Sequence, residues 1–582
     1  MHMVPQTVTD FLFMNEFARA LELKRRQLLP PMTLRKVLLL AGLLIFANHH
    51  HLMVTTVLAD ETSSIPHLEK QGTATQLIVD GKPFLILGGE LHNSSSSRLD
   101  YMKPIWPELA AMHLNTVLTP VSWELIEPEK GRFDFKLVDG LIDEARQNNL
   151  HLVFLWFGSW KNSMSSYAPA WVKTNLQRFP RAGDKDGKGL EIFSPFSDVN
   201  RDADARVFAA FMRHIRKVDG HKHTVILIQV ENEIGMIPDA RDHSVVANEI
   251  FSKPVPKELM AYLQDHKDSL IPEFRRVWED AGFKTSGTWE EVFGPGVGTD
   301  EIFMAWHFAR YTGQVAAAGK AEYPLPMYVN AALIRPNYKP GQYPSAGPLP
   351  HLMDIWRAGA PRIDFLSPDI YFPNFAEWCE KYHRSGNPLF VPETRLDPAN
   401  FFYAIGQHDA MGVSPFGIED EFPKSRTNDL SLAKSYEVLS QIAPLILEHQ
   451  GNGTMAGIVL DETNRIQKIQ LGNFTLNVAH DYTWPYSDGF HQTNSWPHFG
   501  GLIISTAPDE YVIAGSGLIV TFAPNSPGDP IAGIASIDEG TIVNGRWVDR
   551  RRLNGDESHQ GRHLRLPPGQ FSMQRVKLYR YH

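Results

Sequence analysis

Between residues 75 and 450, short and mostly apolar runs alternate with stretches whose apolar positions recur every three or four residues. Runs of the first kind suit strands buried on both faces, and stretches of the second suit helices laid against a sheet. Eight runs qualify, at 84–92, 116–123, 151–160, 224–235, 327–333, 363–371, 388–395 and 412–420. Between them, Leu137, Leu141 and Ala145 mark the core-facing stripe of one helix, and Val207, Phe211 and Ile215 that of another. The alternation predicts an α/β fold with a parallel sheet, and eight such units closing on themselves give a (β/α)8 TIM barrel. An open doubly wound sheet would call for a glycine-rich phosphate loop after its first strand, and none follows the first run. Helices are predicted at 255–267 and 300–319, in a long connection that should lie over the barrel mouth.

The rhythm changes after a last predicted helix at 432–447. From 451 to 582 apolar and polar residues alternate in short runs such as 510–514, 517–522 and 576–581, broken by Gly, Pro and Asn. That pattern predicts an all-β module, sandwich-like, and with no low-complexity linker before it the module should pack on the barrel. At the other end, Met32-Thr33-Leu34-Arg35-Lys36 precedes an apolar run from Val37 to Ala47, and Val57-Leu58-Ala59 stands before Asp60. A basic start, an apolar stretch too short for an anchor and small residues at a cut site make a secretory signal peptide cleaved after Ala59. Export to the periplasm or beyond is therefore expected, with residues 1–31 an upstream extension. The domain reading is 1–59 for the extension and leader, 60–450 for the catalytic barrel, and 451–582 for the β-module.

Composition narrows the function. Lys and Arg number 56 against 66 Asp and Glu, giving −10 with no long basic run, so the charge attraction on which nucleic-acid binding relies is missing. Cys379 is the only cysteine, which excludes an intramolecular disulfide and a thiolate metal cluster. No metal or cofactor is expected. The 13 Trp and 33 Phe supply flat rings of the kind that stack on sugars.

The chemistry concentrates where two of the predicted strands end. One closes Val230-Glu231-Asn232-Glu233-Ile234-Gly235 and another Val391-Pro392-Glu393-Thr394-Arg395. Strand alternation puts Glu231 and Glu233 on one face and Asn232 on the other, unless the strand curls beyond its last ladder bond. Glu233 and Glu393, on the fourth and seventh strands, should then face each other across the barrel mouth, with Arg395 helping to hold Glu393 ionised. Glycoside hydrolysis needs such a pair, one carboxylic acid to protonate the leaving oxygen and one carboxylate to attack the sugar or activate water. A gap of about 5 Å means retention through a covalent intermediate, and about 6.5–9.5 Å means inversion. The acid's pKa should be raised by burial or by its partner's charge.

Gln229-Val230-Glu231-Asn232-Glu233 with Gly235, together with Leu114-Asn115-Thr116-Val117, Trp123, Glu127-Pro128, Gly131 and Phe133-Asp134-Phe135, resembles glycoside hydrolase family 35, the retaining β-galactosidases. The stretch from Arg562 to Gly569 is similar to a β-module attached to a bacterial subgroup acting on galactose-capped glycans such as xyloglucan side chains. The resemblance implies Glu233 as acid/base, Glu393 as nucleophile, Asn232 on the sugar 2-hydroxyl, and Tyr371 as a hydrogen-bond donor to the nucleophile. Glu90, in a segment similar to the family's Ser-Gly-x-x-His, is a candidate for the 3- or 4-hydroxyl. Trp160, Lys161 and Asn162 offer a ring and two polar groups, and Trp123 and Trp306 are candidates for the sugar platform. Two departures from the family stand out: Pro120 and Ile234 replace tyrosines common in it, and Trp160-Lys161-Asn162 stands near the place of its Cys-Ala-Glu-Trp. The expected activity is an exo-acting retaining β-galactosidase on galactose-containing oligo- or polysaccharides, needing no nucleic acid or membrane anchor. The alternatives are a related glycosidase for another β-glycoside or an α-L-arabinoside, and a non-catalytic carbohydrate-binding protein.

Overall fold

The computed structural model describes residues 65–422, 431–487, 489–490, 495–543 and 545–582. The expected leader and its cut after Ala59 lie outside the described residues. No helix among the described residues is long and apolar enough to cross a membrane.

Eight parallel strands close into a barrel in chain order. They are β1 (Ile86–Glu90), β2 (Thr116–Ser122), β3 (His151–Lys161), β4 (Val225–Asn232), β5 (Met327–Ala332), β6 (Phe365–Ile370), β7 (Val391–Thr394) and β8 (Gly412–Pro415). Each coincides with a predicted run, β3 continuing one residue further. Alternation along β3 shows how the wall is made. Val153, Leu155 and Phe157 point into the bore with Leu118, Tyr328, Phe365 and Phe390, while Leu152, Phe154 and Trp156 belong to the outer core shared with the helices. Trp156 stacks there on Phe211 of α2 (Asp198–Asp219) at 5.6 Å. The other wall helices used below are α1 (Lys136–Gln147), α3 (Val297–Glu322), α4 (Pro398–His408) and α5 (Ser431–His449). The first shows the predicted stripe, with Leu141 and Ala145 buried.

A three-stranded antiparallel sheet, His67–Gln71, Ala74–Val79 and Lys82–Phe84, precedes the barrel. Its Leu77 and Val79 join the apolar cluster of the bore, so this sheet packs against the barrel interior. The turn between its last two strands is Asp80-Gly81, at φ 51° and 71°, the two left-handed residues a tight hairpin requires.

The C-terminal module is two antiparallel sheets sharing an apolar core. The larger has six strands, Met455–Leu460, Phe499–Ala507, Glu510–Ser516, Ser572–Tyr581, Ile531–Val543 and Arg546–Leu553 in spatial order. The smaller has four, Ile466–Leu471, Phe474–His480, Leu518–Pro524 and Leu564–Leu566. The predicted sandwich is therefore present, and it is joined to the barrel through apolar packing. Leu502, Ile504, Val512, Ala514 and Met573 of the larger sheet belong to the barrel's cluster. Helix α4 approaches that sheet so closely that a Cβ on Gly406 would lie 2.8 Å from Leu502 Cβ. At the start of α4, Asp397 caps the helix through Ala399 N–H at 3.1 Å, and its other oxygen receives His498 Nδ1 of the module at 2.5 Å.

Candidate active site

The C-terminal rim of β4 is built from unusual backbone. Glu231 and Glu233 sit at φ 62° and 44°, left-handed conformations that cost a non-glycine residue about 1–3 kcal/mol and must be held by their surroundings. The register between β3 and β4 shifts at the same place, Trp156 pairing with Val230 but Lys161 with Asn232. The consequence corrects the sequence expectation: Glu231 and Glu233 do not share a face. Glu231 turns to the outer side, where one carboxylate oxygen accepts Trp160 N–H at 2.7 Å and the side chain meets Asp204 of α2. Burial pushes both of these carboxyls up, which suits a pair that shares a proton. Glu233 turns into the mouth. Its N–H donates to Asn330 Oδ1 of β5 at 3.0 Å, its carbonyl accepts Ser163 N–H at 3.1 Å, and Asn162 Nδ2 donates to its carboxylate.

Across the mouth, β7 ends in Glu393, whose register neighbour on β6 is Asp369. Tyr371 donates its hydroxyl to Glu393 Oε1 at 2.5 Å, leaving Oε2 buried without a donor among the described residues. Carboxylate oxygens of Glu233, Asp369 and Glu393 lie within 4.8 Å of one another. Glu90, at the end of β1, is 1% exposed, and neither of its oxygens has a partner among the described residues. The same holds for both amide atoms of Asn232. Lys161, also buried, sets a positive charge among these acids that is felt at Glu90 and Glu233.

The electrostatics follow from a buried pocket holding more acids than bases. Burial first, and the charge of Glu393 second, push Glu233 up to about 7, with Lys161 acting in the opposite direction. The same two causes, in the same order, hold Glu90 and Asp369 well above the ordinary carboxylate range. Burial and the neighbouring Glu393 likewise raise the Tyr371 hydroxyl, which stays a donor. Such a site can hold a carboxylic acid protonated near neutral pH beside another carboxyl, the requirement of acid-assisted bond cleavage.

Of the sequence candidates, Glu233, Glu393, Glu90, Lys161, Asn162 and Tyr371 are linked by these contacts and charges. Three tryptophans are not. Trp160 lies on the outer face, where its ring meets Tyr311 at 4.5 Å and Phe308 at 5.1 Å, both on α3, so only its backbone serves the rim. Trp123 is fully buried at the start of the short helix Trp123–Ile126 after β2, its Nε1 on Glu127 Oε2 at 3.1 Å and its ring edge-on to Trp171. Trp306 lies on α3, facing a cavity of about 410 Å³ with Pro256, Arg310 and Gln314, and none of the mouth's acids lines it. Arg395 is exposed, and the cation among the acids is Lys161 instead. Sequence reading missed Asp369 and Asn330. Both were signalled by polar residues inside otherwise apolar runs, Asp369 two positions before Tyr371 and hence on the same face of its strand.

The closed parallel barrel carries these acids at the C-terminal ends of its strands, the end at which barrel enzymes hold their chemistry. Residues 76–270 match the model of Glycosyl hydrolases family 35. The span takes in β1 to β4 and Glu233 and stops short of Glu393. Residues 432–565 match a domain of unknown function, DUF5597. Over 195 residues the chain is 31% identical to a β-galactosidase of Xanthomonas manihotis, covering 32% of this chain and 29% of that protein. Over 57 residues it is 44% identical to β-galactosidase-1-like protein 3 of Homo sapiens, 10% of this chain and 9% of that one. The chain thus spans less than a third of the length of these curated relatives. The crystal structure of a β-galactosidase from Rahnella sp. R3 aligns with a TM-score of 0.42 at 16% identity, covering 63% of this chain and 57% of that one.

Proposed function

We propose that this protein is an exo-acting, retaining β-galactosidase that removes terminal β-D-galactosyl residues from oligo- or polysaccharides, xyloglucan side chains among them, after export through its leader. The observation that carries the reading is the separation of Glu233 and Glu393. Oxygens within 4.8 Å suit direct attack on the anomeric carbon and leave little room for the intervening water of an inverting enzyme. Glu393 Oε2, free of donors while Oε1 is held by Tyr371, is the attacking oxygen. Glu233, protonated up to about pH 7, gives its proton to the glycosidic oxygen as the C1–O bond breaks. It then takes a proton from the water that cleaves the glycosyl ester. Depth favours a chain end over a chain interior, since both acids are only 6% exposed. The unpartnered amide of Asn232 and carboxyl of Glu90 await sugar hydroxyls, and the identity of the β-galactosidase relatives favours galactose.

The test is a panel of aryl glycosides with Glu393→Ala as control. The aryl β-galactoside should be turned over with retention and the variant should be inert, its thermal midpoint no lower than that of the wild type. Turnover confined to β-glucoside or α-L-arabinoside would reassign the sugar. Wild-type-like hydrolysis by the variant would remove Glu393 from the mechanism. Product analysis on galactosylated xyloglucan oligosaccharides against lactose then resolves the natural aglycone.

A further inference from the structure

We propose that Asp369 is a positioning residue for the acid/base: it keeps a proton of its own, turns it toward Glu233, and is held in place for that by Asn330. The inference rests on the reading of Glu233 just given and adds a residue that double displacement as usually written does not require. Asn330 fixes the geometry. Its Nδ2 donates to Asp369 Oδ2 at 2.6 Å while its Oδ1 accepts the N–H of Glu233 at 3.0 Å, so both ends of the amide are assigned and it cannot be turned over. One amide therefore sets both the backbone of the acid/base and the carboxyl of Asp369. The other oxygen of Asp369 is buried and has no donor among the described residues. It belongs to a side chain within hydrogen-bonding reach of Glu233, in the trio whose oxygens lie within 4.8 Å.

Two buried carboxyls at that distance cannot both ionise, and a proton held between them supplies the missing donor. The surrounding groups agree. Asp369 faces the acids Glu393 on β7, Glu233 beyond β4 and Glu90 on β1, with the hydroxyls of Tyr371 and of Tyr328 on β5 beside them and Tyr382 behind. Among the described residues, Lys161 on β3 is the cation that acts on Glu90 and Glu233, and a single ammonium does not balance four carboxyls.

During the first half-reaction the bond from C1 to the glycosidic oxygen breaks, Glu393 Oε2 bonds to C1, and the proton of Glu233 leaves with the departing oxygen. Glu233 becomes a carboxylate, and the O–H of Asp369 hydrogen-bonds to it. In the second half-reaction water gives its proton to Glu233 and its oxygen to C1, and the ester to Glu393 breaks. Asp369 ends each cycle with the proton it began with.

The experiment is the pH profile of kcat/KM on a galactoside with a poor leaving group, for which the acid is indispensable. In the wild type the O–H of Asp369 stabilises ionised Glu233; Asp369→Ala removes that donor, so the alkaline limb should move up by about one pH unit. Asn330→Ala, which releases Asp369, should move it the same way and carries the test should the first variant fold poorly. In a Glu233→Gln background, assayed on an activated aryl galactoside, Asp369→Ala should leave the profile where it is. A limb unmoved in both single variants, with only KM raised, would make Asp369 a sugar contact and overturn the proposal. A wild type inert on every galactoside would overturn the reading of the site itself.

Discussion

Replacing Glu233 by Gln should make the protein more stable, and only above the pH at which an ordinary glutamate titrates. A carboxyl whose folded-state pKa is raised holds its proton more tightly when folded than when unfolded. Its contribution is therefore fully present below about 4.5, the unfolded value, and is lost as pH rises through the folded value of about 7. Each pH unit between those points carries about 1.4 kcal/mol, so by pH 8 the buried ionised Glu233 costs the folded state about 3 kcal/mol. Glutamine has nearly the same shape, keeps an acceptor for Asn162, and never ionises. The variant should match the wild type at pH 4.5 and gain steadily to pH 8. The barrel and module form one unit, Ile65–His582. At about 2 cal/mol/K of unfolding entropy per residue, a protein of that size should show the gain as about 3 °C in Tm. Differential scanning calorimetry of both proteins across pH 4.5–8.5 reads this directly. The same variant should lose hydrolysis of galactosides with poor leaving groups and keep the first step on activated aryl galactosides. Parallel Tm curves, with an offset that does not grow with pH, would refute the assignment of a raised pKa to Glu233.

Tyr371→Phe removes the single donor to Glu393 Oε1 and should lower kcat/KM by roughly 10- to 100-fold, the worth of a hydrogen bond to a charged group, with Tm nearly unchanged. Steady-state kinetics would count against it if activity stayed within twofold of wild type. Gly158→Ala should destabilise the protein by about 1–3 kcal/mol, because the new Cβ would lie 2.7 Å from Glu231 Oε1 and 2.8 Å from Asp204 Oδ1 in a packed, buried pair. Thermal unfolding checks it, and an unchanged midpoint would show that the pair has room to move.

Much of the barrel was legible because its signal is local. Strands buried on both faces are written as apolar runs, and turns and helix stripes space them, so all eight strands could be placed. The acids were legible where they closed such a run, as Glu233 and Glu393 do. What sequence could not carry was the direction of side chains where the backbone leaves strand geometry. Positive φ at Glu231 and Glu233 breaks the two-residue period and sends Glu231 outward, and no residue type announces that, since left-handed glutamate is disfavoured in general. The tryptophans failed for a different reason. Trp160 lies on the outer face of β3, among rings of a helix about 150 residues away in the chain that local sequence does not reveal. Asp369, Asn330 and the Asp80-Gly81 hairpin carried readable signals, a polar residue in an apolar strand and a two-residue turn, that were outweighed by the motif around Glu233.

The grip of the β-sheets on α4 bears on how such a chain can be inherited or engineered. Domain borders ordinarily fall where few contacts cross. Here the composition changes near 451, yet Asp397, four residues past Glu393, is clasped by His498, and Tyr436, within the span matched to DUF5597, bonds the carbonyl of Gly88 in β1. Splitting the gene at the border would strip the apolar back of a helix that follows directly from the strand of Glu393. The two parts are better regarded as one heritable unit than as exchangeable beads, and a free-standing barrel would need that helix face redesigned before it could be soluble.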